Sequence, residues 1–407
     1  MLYDAYELQR TWLAGASALA EVSAEWLNNP TNPFSYTGAS PLIASALDVF
    51  AHAAAPRGKP KFGLDQINFE GRTITVNEEI ALRKPFGQLK HFRKEGTESG
   101  PPVLVIAPMS GHYATLLRGT VERLIPRHDV FITDWRDAKL VPLADGGFDF
   151  DDYVDYLIEF IEHIGPGAHL VAVCQPSVPA YAAVAVMSAD GNPALPSTLT
   201  MMGGPVDTRE GPTAVNSLAT TRPHAWFEQN VIATVPNFYP GAGRKVYPGF
   251  LQLAGFLTMN LGSHLNSHWE MFKHLVAGDG ESAQSTKDFY DEYRSVCDMT
   301  AEFYLQTIDL VFQQHALPTR QLTHRGKLVD PDAIRDVALL AVEGERDDIS
   351  GLGQTRAALE LATNLPDDLK QYYLAKGVGH YGIFNGRRWR EIIAPVVEEF
   401  IQAHKGK

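Results

Sequence analysis

Hydrophobic positions change their spacing along this chain, and each spacing predicts a different kind of element. From Tyr6 to Leu27 apolar residues recur at helical intervals, which predicts an amphipathic helix, and a second helix is expected from Ser40 to Ala54. Alternation of β-branched residues at Thr73–Val76, with a return stretch at Gln88–Phe92, predicts an antiparallel pair of strands. The chain therefore begins with helices and continues into a sheet.

Short and uninterrupted apolar runs follow, mostly separated by segments of helix length, and they predict buried parallel strands. These runs are Val103–Ala107, Val130–Thr133, His169–Val173, Leu199–Met202 and Val337–Val342. A last strand is expected near Tyr372–Leu374, before a final helix from Arg388 to His404. Because strand and helix alternate, the fold class is predicted to be α/β.

One gap interrupts this alternation, since more than a hundred residues separate Asp207 from the next buried strand after Asp330. A gap of this length is too long for an ordinary loop, and it is predicted to be an inserted cap (lid) domain. A packed subdomain with no role at the site is the alternative. The predicted organisation is an N-terminal helical extension at 1–60, a core at 61–206, the cap at 207–330, and the rest of the core at 331–407.

Charge and cysteine content narrow the function classes. The 35 Lys and Arg residues against 48 Asp and Glu give a net charge of −13, which argues against binding to nucleic acid or to an anionic membrane surface. No apolar stretch approaches the length of about 20 residues that a membrane span needs, and the start of the chain lacks the pattern of a secretory signal. With only two cysteines, a disulfide framework is not expected, and a cytoplasmic protein is predicted.

Cys174 is the candidate nucleophile. It follows the apolar run that ends at Val173 and precedes a helix of small residues, which is the strand, sharp turn and helix of a nucleophile elbow. Ala172 and Pro176 occupy positions where that motif has glycine, so the match is partial. A cysteine here is also compatible with a small buried core residue.

Two further groups follow Cys174 in a meaningful order. Carboxylates cluster at Glu343–Asp348 after a predicted strand, and His380 lies in a glycine-rich turn before the final helix. Nucleophile, acid and histidine is the chain order of the α/β-hydrolase fold, so a Cys-His-Asp hydrolase is predicted. Asp207, which closes the preceding strand, is the alternative acid.

The oxyanion hole of such an enzyme uses two backbone N–H groups. The residue after the nucleophile, Gln175, is expected to supply one, and Met109 or Ser110 in the loop after the first parallel strand the other. His112 in the same loop either lines the pocket or packs beneath the cap. Cys297, in a helical patch predicted at Glu292–Tyr304, is expected to be structural. No phosphate-binding, dinucleotide-binding or zinc-ligand spacing occurs, so no cofactor and no metal are predicted.

With these residues the chain resembles the intracellular poly(3-hydroxybutyrate) depolymerases, bacterial enzymes that mobilise stored polyester granules. The resemblance covers essentially the whole chain. It is carried by Met1-Leu2-Tyr3, Ala107-Pro108-Met109-Ser110-Gly111-His112, Thr133-Asp134-Trp135, Val173-Cys174-Gln175-Pro176, Met201-Met202-Gly203-Gly204-Pro205, Pro212-Thr213-Ala214-Val215-Asn216-Ser217-Leu218-Ala219, Val246-Tyr247-Pro248-Gly249-Phe250 and Gly379-His380-Tyr381-Gly382-Ile383-Phe384.

The resemblance implies a function and assigns the site. The family's nucleophile falls on Cys174, its acid on Asp347 and its histidine on His380, with Asp348 turned to solvent or capping a helix. Related polyhydroxyalkanoate synthases have glycines after the cysteine, where this chain has Gln175-Pro176, which favours breakdown of the polymer over synthesis.

The expected activity is hydrolysis of amorphous poly(3-hydroxybutyrate) through a cysteine acyl-enzyme, in the cytoplasm or at the granule surface. Trp226 and Phe227 of the cap are expected to bind the polyester. Two alternatives remain, a cysteine-dependent hydrolase of small esters or lactones and a non-catalytic granule protein. The sequence leaves open the oligomeric state, a homo-oligomer included, and whether water or a thiol accepts the acyl group.

Overall fold

A computed structural model describes residues 2–29, 31–33, 40–55, 58–96, 100–253, 291–292 and 294–406. The helices in these ranges are α1 (Leu2–Asn28), α2 (Ser40–Ala54), α3 (Arg118–Leu124), α4 (Phe150–Ile164), α5 (Ser177–Ala189), α6 (Ala214–Thr221), α7 (His224–Asn230), α8 (Ala301–Gln306), α9 (Ala357–Leu361), α10 (Gly386–Arg388) and α11 (Ala394–Ala403). Two π-helical turns, Thr307–Gln313 and Trp389–Ile393, extend α8 and connect α10 to α11.

The strands are β1 (Gln66–Phe69), β2 (Arg72–Arg83), β3 (Gly87–Lys94), β4 (Pro102–Ile106), β5 (Asp129–Trp135), β6 (His169–Val173), β7 (Thr198–Met202), β8 (Ala233–Thr234), β9 (Lys245–Tyr247), β10 (Met299–Thr300), β11 (Thr323–His324), β12 (Lys327–Leu328), β13 (Ala338–Gly344) and β14 (Lys370–Ala375). The predicted antiparallel pair and all five predicted parallel strands are present.

Most of these strands form one twisted mixed sheet, in the order β1-β2-β3-β5-β4-β6-β7-β13-β14. The first three strands and β5 pair antiparallel, whereas the strands from β5 to β14 pair parallel. Every residue of β6, β7 and β13 is buried, as expected for parallel strands covered on both faces. This is the α/β-hydrolase fold, preceded by two helices, and the predicted fold class is confirmed.

Helices cover the sheet in groups. The helix α4 packs on α5, and α3 packs beside the C-terminal segment, where the Arg123 guanidinium binds the Glu398 carboxylate with two hydrogen bonds of 2.5 and 3.0 Å. A capping box at the start of α4 joins Asp149 and Asp152, as each side chain accepts the other's backbone N–H.

No helix in the described ranges combines the length and the apolar character that crossing a membrane requires.

The helix α1 buries a different face from the one its apolar pattern suggests. Its inward side holds small or polar residues such as Ser17 and Ala20, while most of its large apolar side chains, Trp12 and Leu19 among them, are exposed. Small residues let α2 approach closely, and the Ser17 hydroxyl donates a hydrogen bond of 2.7 Å to the carbonyl of Ala51. At its start, the Tyr3 hydroxyl donates to the buried Asp298 carboxylate.

Between β7 and β13 lie α6, α7, α8, a small sheet in the order β10-β9-β8, and the hairpin β11–β12. The helix predicted over Glu292–Tyr304 is wrong for its central part, where Met299 and Thr300 pair with β9 and α8 begins only at Ala301. That strand forms because Asp298 is held by the core, since its N–H donates to the Asp137 carboxylate at 3.2 Å. Residues 254–290 of the predicted cap lie outside the described residues.

Candidate active site

Cys174 stands at a sharp turn between β6 and α5. Its φ of 67° is a left-handed conformation that residues other than glycine seldom adopt. The turn is fixed by hydrogen bonds, since the Cys174 N–H donates to the carbonyl of Met202 at 2.8 Å and the Ser177 N–H donates to the carbonyl of Cys174 at 3.0 Å. Strain of this kind is typical of a nucleophile elbow.

A glycine just beyond the neighbouring strand β7 provides the space that a nucleophile elbow usually obtains from glycines beside the nucleophile. A Cβ added to Gly204, just beyond β7, would lie 2.0 Å from the Ser177 hydroxyl oxygen and 2.2 Å from its Cβ. The first turn of α5 therefore packs directly against the backbone of Gly204, with no side chain between them. The close approach that the motif obtains from flanking glycines comes here from Gly204, and its sequence signal is the pair Gly203-Gly204 at the end of a strand.

His380 and Asp347 meet at the carboxyl ends of β14 and β13. The imidazole Nδ1 lies 2.7 Å from Asp347 Oδ2, and the other carboxylate oxygen accepts the N–H groups of Ile349 and Ser350 at 2.9 and 2.8 Å. Both side chains are almost fully buried, with 5% and 1% of their surface exposed. Three hydrogen bonds thus hold the carboxylate in the orientation that faces the histidine.

His380 also interacts with Cys174, and both line the same cavity, so the histidine lies between the other two side chains. Burial by itself lowers the pKa of His380, but the electrostatic influence of Cys174 and the hydrogen bond that His380 donates to Asp347 raise this pKa well above its ordinary value. The site therefore favours the imidazolium form of His380, which can give a proton to a leaving group.

The neighbouring carboxylates take other positions. Asp348 is exposed, as expected for the second aspartate of the pair. Asp207, the alternative acid, is wrong as a partner of His380, because its carboxylate instead bonds to the Arg209 guanidinium at 2.8 and 2.7 Å.

Glu343 holds the loop that carries Asp347 in place through hydrogen bonds, a role that the sequence does not reveal. Its carboxylate accepts the N–H groups of Gly353, Thr355 and Arg356 at 2.8–3.0 Å, and the hydroxyl of Tyr372 at 2.8 Å. A buried carboxylate inside a strand is costly unless it is bonded in this way.

The same loop reaches the glycines behind the nucleophile. The Thr355 hydroxyl accepts the N–H of Gly204 at 2.8 Å and donates to the carbonyl of Gly204 at 3.0 Å. One network of hydrogen bonds therefore connects the loop of Asp347 to Gly204, which packs against the turn at Cys174.

The expected oxyanion loop lies beside Cys174. The N–H of Met109 donates to the side-chain carbonyl Oε1 of Gln175 at 3.2 Å, so this N–H points toward a carbonyl-type oxygen next to the nucleophile. The other end of that side chain, Nε2 of Gln175, is buried with no hydrogen-bond partner among the described residues. Ser110 lies on the same wall.

Cys297 and Val296 are bonded to the loop that is expected to form the oxyanion hole. The Cys297 N–H donates to the carbonyl of Gly111 at 2.7 Å, and His112 forms a bridge with Val296. Burial, followed by the charge of Asp137, raises the pKa of the Cys297 thiol well above its ordinary value, which disfavours its thiolate. In the described ranges no cluster of three His, Cys, Asp or Glu side chains is arranged to hold a metal ion.

Cys174 and His380 open into a mainly apolar cavity of about 600 Å³. Its wall includes Met109, Ser110, His112, Leu116, Gln175, Ala214, Val215, Leu218, Phe227, Tyr247, Met299, Phe303, Tyr304, Ile308, Phe312 and Phe384. His112 and Phe227 are thus placed at the cavity, whereas Trp226 is absent from its lining and instead packs edge-on against Phe227 at 5.2 Å, beside the Arg222 guanidinium.

Two rings dominate one side of this cavity. Tyr247 and Tyr304 stack with ring centroids 4.0 Å apart and planes 12° apart. Burial raises the pKa of Tyr247 to about 12 and raises that of Tyr304 as well, so both hydroxyls stay neutral. Both tyrosines lie within the predicted cap, and Tyr247 belongs to one of the sequence blocks that carry the family resemblance.

Comparison with solved structures gives distant neighbours. A putative lipase from Acinetobacter baumannii AYE has a TM-score of 0.45 and 12% identity, covering 82% of this chain and 93% of that chain. Naproxen esterase from Bacillus subtilis has a TM-score of 0.43 and 13% identity, covering 81% and 92%. A thermophilic esterase from Thermogutta terrifontis has a TM-score of 0.43 and 14% identity, covering 86% and 100%.

No curated protein matches the chain significantly. Among protein families, the model described as PHB de-polymerase C-terminus matches residues 203–405, where PHB is poly(3-hydroxybutyrate). This match takes in Asp347 and His380 and begins after Cys174. It spans the C-terminal half of the chain and agrees with the resemblance seen in the sequence blocks. The chain belongs to the PHB depolymerase family.

Proposed function

We propose that this protein hydrolyses the ester bonds of amorphous poly(3-hydroxybutyrate), with Cys174, His380 and Asp347 as its catalytic residues. Family membership supports ester hydrolysis. The observation that carries the proposal is that His380, hydrogen-bonded to Asp347, interacts with Cys174 at the wall of an apolar cavity.

The first half of the reaction forms a thioester. The Cys174 thiolate attacks the ester carbonyl carbon, while His380 retains the thiol proton as imidazolium. When the tetrahedral intermediate collapses, the carbon–oxygen bond breaks and His380 gives its proton to the leaving hydroxyl of the polymer. Asp347 stabilises the imidazolium and keeps Nε2 directed at the sulfur.

The second half releases the acyl group. His380, now neutral, removes a proton from a water molecule, and the resulting hydroxide attacks the thioester carbonyl. Collapse of this second intermediate expels the Cys174 thiolate, and the products are a carboxylic acid and a shortened chain. Water is the acyl acceptor in this proposal.

The oxyanion of each intermediate is held by the N–H groups of Gln175 and Met109. The Met109 N–H supports this role because it already bonds to a carbonyl oxygen, Gln175 Oε1, at 3.2 Å. The substrate carbonyl would take the place of that side-chain oxygen, and the Gln175 side chain must turn aside as the ester enters. Met109 is therefore preferred to Ser110 as the second donor.

The segment 207–330 acts as an inserted cap in this proposal. This assignment is supported by the cavity wall, to which elements of the segment contribute Val215, Phe227, Tyr247, Phe303 and Phe312. These elements are α6, α7, β9, α8 and the following π-helical turn. Apolar walls suit a polyester, whose repeating unit has methyl and methylene groups, and about 600 Å³ lies within the usual range of ligand pockets. His112 and Phe227 contact the bound chain.

A reducing compartment suits this chemistry, because oxidation of the Cys174 thiolate would end catalysis. We therefore place the enzyme in the cytoplasm, acting at the surface of polyester granules.

Product analysis on amorphous polymer granules tests the proposal. The wild-type protein is expected to release 3-hydroxybutyrate and its oligomers, Cys174→Ala is expected to release none, and Cys297→Ala is expected to behave nearly as wild type. Release of product by Cys174→Ala would contradict the triad. Cleavage of soluble esters or lactones with none of granules would instead favour a small-ester hydrolase, and absence of cleavage on every ester a non-catalytic granule protein.

A further inference from the structure

Two tyrosine hydroxyls at the cavity wall have no hydrogen-bond partner among the described residues. They belong to Tyr247, at the end of β9, and to Tyr304 in α8, whose stacked rings both line the cavity. Both residues are half-buried, and their rings pack against each other and against the core. A tyrosine hydroxyl in such a place usually has a partner, so these two are available to a ligand.

Hydrogen bonds to the core hold the elements that carry these tyrosines. The strand β9 pairs with β10, and β10 leads directly into α8. Before Tyr304, the Thr300 hydroxyl donates to the carbonyl of Phe148 at 2.5 Å. After it, the side-chain carbonyl of Gln306 accepts the N–H of Phe150 at 2.7 Å. The two rings are therefore already in place when a ligand arrives, and binding requires little further ordering.

The chemistry of a polyester matches these hydroxyls. Such a chain has an ester carbonyl in every repeating unit, and a carbonyl oxygen is a hydrogen-bond acceptor. A neutral tyrosine hydroxyl can donate, and burial keeps both hydroxyls neutral by raising the pKa of Tyr247 to about 12 and raising that of Tyr304 as well. In a mainly apolar cavity, a few fixed polar groups determine which ligand fits and how it is oriented.

The position of the tyrosines indicates which carbonyls they meet. The scissile carbonyl is assigned to the N–H groups of Gln175 and Met109 in the core, whereas Tyr247 and Tyr304 come from the segment 207–330. We propose that the hydroxyls of Tyr247 and Tyr304 donate hydrogen bonds to the ester carbonyls that flank the scissile one, and that they thereby select a polyester chain over an isolated ester. This inference rests on the proposed function, because it takes the cavity to hold a polyester.

Selection follows from what an isolated ester lacks. Its one carbonyl occupies the oxyanion site, and its alkyl chain offers no acceptor to the tyrosines. A site that provides hydrogen-bond donors discriminates against a ligand that leaves them unpaired. The preference should therefore disappear when the hydroxyls are removed and the rings are kept.

Binding of a soluble 3-hydroxybutyrate oligomer to Cys174→Ala protein tests the contacts without the reaction. Tyr247→Phe and Tyr304→Phe, each made in this background, keep the stacked rings and remove one hydroxyl. Each is expected to raise the Kd of the oligomer about fivefold, as for the loss of one hydrogen bond between neutral groups. Calorimetric titration measures Kd, and thermal unfolding should be the same for all variants.

Kinetics with Cys174 present test the selection. Each Phe variant is expected to lower kcat/KM for the oligomer about fivefold and to leave kcat/KM unchanged for a fatty-acid ester of similar length with one ester group. Tyr373→Phe is the matched control, because it removes the same hydroxyl from a half-buried tyrosine of β14 outside the cavity wall. It should change neither Kd nor kcat/KM.

An unchanged Kd of the oligomer in both Phe variants would overturn the inference and leave the proposed function standing. Equal losses of kcat/KM for the oligomer and the single ester would also overturn it, because the hydroxyls would then act at the scissile ester. If the Phe variants bind the oligomer more weakly as expected, but the wild-type protein cleaves no polyester, the contacts stand and the proposed function fails.

Discussion

At the scale of single residues, the adjacent aspartates separate cleanly. Asp347 bonds to His380 and to two backbone N–H groups, whereas Asp348 is exposed. Asp347→Asn is expected to lower kcat by about 10⁴, because an amide at this position favours the wrong tautomer of His380. Asp348→Asn is the control and should keep nearly full activity. The measurement is kcat on a soluble oligomer, and a severe loss at position 348 with tolerance at 347 would reverse the assignment.

The pKa of His380 reports the contact with the nucleophile. Burial lowers this pKa, and the electrostatic influence of Cys174 is the largest one that raises it, ahead of Asp347. Cys174→Ala removes this influence, so the pKa of His380 is expected to fall below its wild-type value. Titration of the imidazole by NMR in both proteins measures the change. An unchanged pKa would show that Cys174 and His380 do not interact electrostatically.

Gln175 offers a test of the oxyanion site. Gln175→Glu places a charged oxygen where Oε1 now accepts the Met109 N–H, and an anion there competes with the oxyanion for the same donor. We expect kcat to fall by about 10²-fold, similar to the loss of one oxyanion-hole donor. Gln175→Ala keeps the backbone N–H and removes the competing oxygen, so it should lose much less. Equal activity of the Glu and Ala variants would contradict the assignment of Met109.

At the scale of elements, the nucleophile elbow depends on the neighbouring strand. A methyl group at Gly204 would meet the Ser177 side chain at 2.0–2.2 Å, so Gly204→Ala must displace the first turn of α5 or the end of β7. We expect a loss of stability of about 1–3 kcal/mol together with a large loss of activity. The control is Gly147→Ala, where a Cβ has open space around it. Thermal unfolding and ester cleavage measure the two effects, and a fully active and stable Gly204→Ala would refute this view of the elbow.

The sequence predicts some of these elements correctly and not others. The buried parallel strands were predictable because a strand covered on both faces is apolar throughout, as β6 and β7 are. The buried face of α1 was not, because packing on α2 selects small residues such as Ser17 and leaves the more hydrophobic side outside. Hydrophobic periodicity locates an amphipathic helix, but it does not say which partner covers which face.

The candidate site divides in a similar way. That Cys174, Asp347 and His380 lie near one another was predictable, because each follows a strand end in a fixed chain order. The support from Glu343 and Thr355 was not, since a glutamate inside an apolar run and a threonine in a loop have no distinctive spacing. Trp226 and Phe227 were predicted together as substrate-binding residues, but of the two Phe227 lines the cavity, because neighbouring residues on the helix α7 point in different directions.

At the scale of the whole molecule, the position of Cys174, the proposed nucleophile, limits the physical state of the polymer on which the proposed reaction can act. His380 is almost fully buried, and the thiol of Cys174 is reached through a cavity lined on one side by the core and on the other by the segment 207–330. A polyester chain must therefore leave its surroundings and extend into the cavity before an ester carbonyl can meet the sulfur. A chain in an amorphous phase is already mobile, whereas a chain in a crystal must first lose its lattice contacts.

We therefore expect cleavage of amorphous poly(3-hydroxybutyrate) and of soluble oligomers, with little action on crystalline polymer. Initial rates on the two solid forms, compared at matched surface area, measure the preference. A soluble oligomer is the control, because it needs no extraction and reports the rate of the chemical steps alone. Equal rates on the two solids would refute the prediction, since they would mean that the protein offsets the lattice energy through a surface that binds ordered polymer.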